Sequence, residues 1–145
     1  MDSLDTTSCA LNTYTKLMRA AESVTSRVQG SMSECNLTIS QFGVLEALYH
    51  KGPLCQRDIA VKILKSTGNI TMVIDNLEKR GLVRRERDTD DRRYLTVHLT
   101  QEGLAVIAPA FAKVEAAICA ELTILSRQEQ DMLGQLCKKL GLKGA

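Results

Sequence analysis

Gln56-Arg57-Asp58-Ile59-Ala60, Ser66-Thr67-Gly68-Asn69-Ile70-Thr71, Leu77-Glu78-Lys79-Arg80-Gly81-Leu82-Val83, Asp88-Thr89-Asp90-Asp91-Arg92-Arg93 and Val97-His98-Leu99-Thr100 follow one another within residues 54–100. The run reads as a short helix near 56–64, a turn, a second helix beginning after Ser66, and two strands, 82–87 and 94–99, joined by the loop 88–93. Ser66 is a good N-cap, and Gly81 supplies the left-handed residue that ends the second helix. In the second strand Leu95, Val97 and Leu99 alternate with Tyr94, Thr96 and His98, the period-two pattern of a half-buried strand. A helix followed by a basic hairpin can reach two neighbouring grooves of one DNA duplex.

On a 100° wheel the second helix separates into two faces. Ile70, Val73, Ile74 and Leu77 form the apolar side. Gly68, Met72, Asp75 and Lys79 lie opposite, flanked by Asn69, Thr71 and Asn76. Small and hydrogen-bonding side chains on an outward face suit base edges in a major groove. Gly68 adds no bulk where the helix start approaches a backbone, and the free N–H groups there suit phosphate. At the hairpin, Arg92 and Arg93 can extend into the adjacent minor groove, where narrow A·T tracts attract guanidinium groups. Arg84, Arg85 and Arg87 on the incoming strand are expected to face phosphate. Asp88, Asp90 and Asp91 make sense at such a tip if at least one pairs with an arginine and holds the loop's shape.

Outward from this segment the chain is helical. Leu11, Tyr14, Leu17, Met18, Ala21, Val24, Val28 and Met32 recur at steps of three and four, predicting a helix over about 10–33. Its length, on the order of 35 Å, exceeds what one small core covers. Thr38 and Gln41 form a capping box opening a helix whose expected buried face is Phe42, Leu45, Leu48 and Tyr49; Gly52 and Pro53 stop it. Thr100 is the expected N-cap of a helix carrying Leu104, Ile107, Phe111, Val114 and Ile118, with Pro109 inside. Ser126 and Glu129 form another capping box, opening a helix with Met132, Leu133, Leu136 and Leu140. The fold class expected is mainly α with a small β wing.

Composition narrows the class. The chain has 145 residues, 44% of them hydrophobic, with no Trp and two Phe, so the core must come from Leu, Ile, Val and Ala. No unbroken run of about 18 apolar residues suggests a membrane span, and the N-terminus lacks the pattern of a secretory signal. Five cysteines, Cys9, Cys35, Cys55, Cys119 and Cys137, with no C-x-x-C pair, point to reduced thiols in a cytoplasm. Residues 55–93 hold ten Lys/Arg against seven Asp/Glu, a balance of +3, while the remainder has nine against ten, or −1. The positive excess lies where a phosphate footprint requires it.

The pattern Asp88-x-x-Asp91-Arg92-Arg93-x-x-x-Val97-x-Leu99-Thr100-x-x-Gly103 closely resembles the wing signature of the MarR family of bacterial transcriptional regulators. The element order matches that family across nearly the whole chain. The resemblance implies one domain over residues 1–145: a winged helix-turn-helix lobe at about 37–100, and dimerisation helices at about 8–34 and 101–141. It implies a homodimer on a pseudo-palindromic operator of double-stranded DNA, in a bacterial or archaeal cytoplasm, most often as a repressor. The family's helix contacts map to Thr67, Asn69, Thr71, Met72 and Asn76, the minor-groove residue to Arg93, and its partner to Asp91. With Ser66, Gly68, Arg85 and Arg92 these make up the expected DNA-contacting set. Met72 and Asn76 stand where many members carry a basic residue. Cys55 stands where an N-cap Ser or Thr is common, so the helix after it is expected to start loosely.

The apolar stripes on the terminal helices exceed what the winged lobe can cover, and a second copy would bury the surplus. Two recognition helices about 34 Å apart can then read successive major grooves. The resemblance also implies a small aromatic or phenolic effector between the dimer helices and the lobe, for which Tyr14, Met18, Arg19, Tyr49 and His50 are the candidates. A thiol-based redox switch is the alternative regulation. A winged helix used only for protein contact would have no need of Thr67, Asn69, Thr71 and Arg93 together. An enzyme is not indicated: the chain has no Gly-rich phosphate loop, nucleophile elbow or paired His ligands. His50 and His98 have no second ligand at helical spacing, so neither a metal nor a cofactor is expected.

Overall fold

The computed structural model describes residues 3–63 and 67–143. The elements run α1 Ser3–Glu34, α2 Ile39–Lys51, β1 Leu54–Cys55, α3 Gln56–Ile63, α4 Thr67–Lys79, β2 Val83–Arg87, β3 Leu95–Leu99, α5 Gln101–Leu122 and α6 Arg127–Gly141. The expected capping boxes open α2 and α6: Thr38 and Ser126 each accept from the N–H three residues on, and Gln41 and Glu129 reach back to the cap N–H. Gly52, at φ 79°, donates its N–H to the Leu48 carbonyl and stops α2. The predicted cap at Ser66 lies outside the described residues.

Strand β1 has no signature in the sequence. Leu54 and Cys55 pair with Val97 and Thr96, which makes β3 the middle strand of an antiparallel sheet in the order β1-β3-β2. This pairing corrects the expectation of a loose start to α3. Backbone bonds to β3 anchor the residue just before that helix, where a thiol would have been a weak cap. The β2–β3 register runs from Val83 opposite Leu99 to Arg87 opposite Leu95.

The core lies between α2, α3, α4, the sheet and the first half of α5. Val44, Leu45, Ile59, Ile70, Ile74, Leu77, Val97 and Ile107 have no exposed surface, each side chain contributing about 1.5–3 kcal/mol through burial. One expectation for a buried face is corrected. In α2, Val44 and Ala47 go inward while Tyr49 stays exposed; along the α5 stripe Ile107 and Val114 are buried together with Ala110, and Leu104 and Ile118 are exposed. Ridges of neighbouring helices meet on two sides of α2, so its single expected stripe understates its burial.

The stalk is less covered. α1 begins seven residues earlier than the predicted start at about 10 and spans 32 residues, about 48 Å at 1.5 Å per residue. Val28 and Met32 are buried, whereas Leu11, Tyr14 and Met18 are exposed. Arg27 pairs with Glu121 at 2.6 Å and Lys113 with Glu34 at 3.1 Å, tying α1 to α5. No residue of α6 is buried. Its Leu133, Leu136, Cys137 and Leu140 face Thr13, Lys16, Leu17 and Ala20 of α1 across an apolar groove of about 310 Å³. By length and mean hydropathy, 1.6, α5 is apolar enough to match a membrane span. Lys113 and Glu115 interrupt its apolar run in the sequence. The buried positions Gly103, Ile107, Ala110 and Val114 show that one face of α5 belongs to the protein core.

Wing, recognition helix and stalk meet at Leu82. Its N–H donates to the Leu77 carbonyl as α4 ends, and its own carbonyl accepts from the Thr100 N–H at 3.1 Å. Thr100 Oγ1 donates to the Gly81 carbonyl at 2.7 Å and accepts from the Gly103 N–H. A Cβ on Gly103 would stand 2.0 Å from the Leu82 carbonyl oxygen and 2.8 Å from Leu99 Cδ1. Gly103→Ala is therefore expected to destabilise the fold by about 1–3 kcal/mol through overpacking. Urea denaturation at fixed protein concentration reads this, and an unchanged midpoint would refute the close approach.

Candidate nucleic-acid interface

Helix α4 is amphipathic in the sense expected. Ile70, Ile74 and Leu77 are fully buried and Val73 half-buried, while Asn69, Thr71, Met72, Asn76 and Lys79 are exposed. Met72 is 65% exposed, so an apolar, unbranched side chain sits at the centre of the outward face. Of the other expected contacts on this helix, Thr67 and Gly68 are described only as part of its first turn, and Ser66 is not described. The Thr71 hydroxyl accepts a hydrogen bond from Gln56 Nε2 at 3.3 Å, which joins α4 to the first turn of α3.

The wing tip is built by its own aspartates. Asp91 Oδ1 accepts from the Arg93 N–H at 3.1 Å, and both carboxylate oxygens accept from the Arg93 guanidinium at 2.8–3.2 Å. The Arg93 side chain, its bonds to this carboxylate holding its pKa above the ordinary arginine value, is nonetheless 84% exposed. The guanidinium and N–H of Arg93 together hold the Asp91 carboxyl below its usual range. A fork-to-fork pair of this kind fixes the direction of the guanidinium. Asp88 accepts from the Asp90 N–H, its own N–H donates to the Tyr94 carbonyl, and Arg87 donates to the Arg92 carbonyl. The loop is thus closed on itself, with Arg92 and Arg93 outward.

Arg85 departs from expectation. Its side chain is only 15% exposed. The guanidinium pairs with Asp75 at 2.6 Å and Glu78 at 3.3 Å, and donates to Gln56 Oε1 at 2.6 Å and to the Thr71 carbonyl at 3.2 Å. A guanidinium so engaged is turned away from a duplex, which removes Arg85 from the expected contact set. The signal for this lies in Asp75 and Glu78, two acids on or beside the reading face that need a cation before DNA can approach. Arg84 pairs with Glu86 on the same strand.

Arg57 was missed. It is exposed at the first turn of α3, without an ion pair or hydrogen bond among the described residues, and with Gln56, Tyr94 and Arg93 it lines a notch of about 190 Å³ between α3 and the wing. The path from Thr71 through Gln56 and Arg57 to Arg93 connects recognition helix and wing along one surface. Asp58 and Asp88 line the adjoining outer gap.

The effector candidates do not converge. Tyr14, Met18 and Arg19 are exposed along α1, and Met18 lines a shallow surface depression with Ala21, Glu22, Thr25, Ser26 and Gln29. Tyr49 and His50 pack against Phe111, the His50 and Phe111 ring centroids 4.5 Å apart. The pocket between α2 and α5, about 250 Å³, is walled instead by Phe42, Glu46, Phe111, Val114, Glu115, Ile118 and Cys119. The chain's only two phenylalanines meet there, a signal available in the two helical stripes. All five cysteines are free; Cys9, Cys119 and Cys137 are exposed.

A model described as the MarR family matches residues 37–95. The HTH-type transcriptional regulator MhqR of Bacillus subtilis (strain 168) is 32% identical over 133 residues, 92% of each chain. The structure of Bordetella bronchiseptica BpsR, concerned with regulation of its DNA binding by 6-hydroxynicotinic acid, superposes with a TM-score of 0.80 at 25% identity, over 90% of this chain and 98% of that one. NadR in complex with 4-hydroxyphenylacetate gives a TM-score of 0.73 at 26% identity, over 86% and 89%.

His98 lies opposite Arg84 in the wing, half-buried. Burial first, then the charge of Arg84, holds its imidazole below the ordinary histidine pKa; Glu86, 3.3 Å away, is already engaged by Arg84. A folded-state pKa below the unfolded value means that stability from neutral His98 is complete above about pH 6.5 and declines as pH falls from there toward the lower folded value. His98→Gln should flatten the fall in melting temperature between pH 7 and 5. A His98 that titrates at or above 6.5 by NMR would sink this assignment.

Proposed function

The chain belongs to the MarR family, a DNA-binding winged-helix transcription regulator rather than an enzyme, and from that premise we propose that it acts as a homodimeric repressor on a pseudo-palindromic operator. One observation carries the reading: the exposed face of α4 and the Asp91-held Arg93 are joined by a continuous surface through Gln56 and Arg57. Asn69, Thr71, Met72 and Asn76 face a major groove. Arg93 and Arg92 enter the neighbouring minor groove, and Arg57 meets the phosphate strand that crosses between them. Met72 in place of a cation makes the contact with that groove partly apolar, suited to a thymine methyl group.

The uncovered stripes of α1, α5 and α6 support pairing of two copies through residues 8–34 and 101–141, which sets the two recognition helices at successive major grooves. The bacterial origin of the relatives supports a cytoplasmic protein. Release from DNA follows when a ligand binds the DNA-incompetent spacing better than the competent one.

We place that ligand in the α2–α5 pocket, where Phe42 and Phe111 come together, rather than among the five residues expected from sequence. Its walls are aromatic and aliphatic, with Glu46 and Glu115 at the edge. Those carboxylates disfavour an anion, so the effector is an uncharged aromatic or phenol, unlike the carboxylate-bearing ligand of NadR.

Selection from a random duplex pool tests the reading. The selected duplex should lose about 1–3 kcal/mol of affinity with Arg93→Ala, while sedimentation still reports a dimer; equal affinity, or a monomeric parent protein, would count against it. Neutral phenols should release the duplex in a gel shift at concentrations where benzoate or phenylacetate do not. Release by the acids alone would overturn the charge assignment.

A further inference from the structure

Arg85 makes more polar contacts than its place in a wing strand requires. Its guanidinium reaches the Thr71 carbonyl, Asp75 and Glu78 of α4 and Gln56 of α3, while its N–H donates to Glu78 Oε2 at 3.0 Å. Gln56 in turn donates to the Thr71 hydroxyl. Three elements are therefore held by one side chain, midway along β2 and opposite Val97. Past Arg85 the hydrogen bonds and ion pairs of the β2 side and tip, among the described residues, close within the wing itself: Arg84 with Glu86, His98 with Glu86, Arg87 with Arg92, Asp88 with Asp90 and Tyr94, Asp91 with Arg93 and Tyr94.

We propose that Arg85 is a positioning residue that sets the tilt of the wing against the recognition helix, and so governs DNA selectivity without touching DNA. The inference rests on the two-groove reading above. Arg85 is followed by two further strand residues, about 7 Å at 3.4 Å per residue, and then by the loop that carries Arg93. Over a lever of at least about 7 Å, a 5° rotation at its base moves Arg93 by about 0.6 Å or more, beyond the roughly 0.5 Å tolerance of a hydrogen-bond donor–acceptor distance. Lysine cannot replace it, because one ammonium cannot serve an acceptor set spread over two helices. The same side chain offsets one of the two negative charges of Asp75 and Glu78, which otherwise repel phosphate from the reading face. An expected DNA contact thereby becomes the strut between two contacts.

The test uses the full-length protein and the duplex that it selects from a random pool. In Arg85→Gln, amide hydrogen exchange over residues 86–94 should accelerate while α2 and α5 keep their protection. Affinity for the selected duplex should fall at least tenfold; the salt slope falls by about one whether Arg85 itself or a displaced Arg93 loses its contact, so the double variant decides between them. Arg93→Ala should then cost less than threefold more in the Arg85→Gln background, against its full cost alone. If Arg85→Gln does not fold, the Asp75→Asn, Glu78→Gln pair, which removes two acceptors, should give the same accelerated exchange over residues 86–94 and the same reduced cost of Arg93→Ala. Unchanged exchange and affinity would overturn the proposal, as would fully additive costs. A parent protein that selects no duplex would overturn the two-groove reading itself, and this inference with it.

Discussion

The carbonyl of Leu82 is where the molecule is joined. The recognition helix ends at Lys79 and its stop residue Gly81 directly precedes Leu82, β2 starts one residue later at Val83, and the Thr100 N–H that opens α5 donates to the Leu82 oxygen. Gly103 lets the first turn of α5 lie directly on it. The DNA-reading elements and the stalk are therefore rigidly coupled through backbone atoms, with no linker between them. Any displacement of α5 reaches the end of α4 and the root of the wing together, because packed junctions of this density do not deform continuously.

Two surfaces follow from that junction. One is polar and arginine-bearing, and its orientation is held by acids: Asp91 aims Arg93, while Asp75 and Glu78 draw Arg85 inward. The aspartates that look wrong for a DNA-facing loop are what give it a fixed shape. The other surface is apolar and faces away from the lobe, along α1 and α6 and the outer side of α5. Its ion pairs, Arg27 with Glu121 and Lys113 with Glu34, lie between α1 and α5 and leave the α1–α6 groove apolar.

Much of this was legible in the sequence, and the parts that were not share a cause. Capping boxes at Thr38 and Ser126, the stop at Gly81, the alternation of β3 and the Asp91–Arg93 pair all depend on residues within a few positions of each other. What failed was non-local. β1 exists because Leu54 and Cys55 meet a strand some forty residues later, and two residues carry no period. Arg85 turned inward because acids of α4 lie behind it. Tyr49 stayed out because α2 packs on two sides, a property of the assembly of helices and not of the helix. Phe42 and Phe111 both stand in helical stripes visible in the sequence, but that the two stripes meet in one α2–α5 pocket follows from the packing of distant helices.

The apolar surface along α1 and α6 has a consequence for the dimer proposed above. Were two copies to pair there, a dilute pool of subunits would fill DNA sites as the square of its concentration, and a modest fall in copy number would be amplified at those sites. The same mass action links folding to encounter: newly made chains at low abundance would be the ones most exposed to proteolysis, and scarcity would reinforce itself.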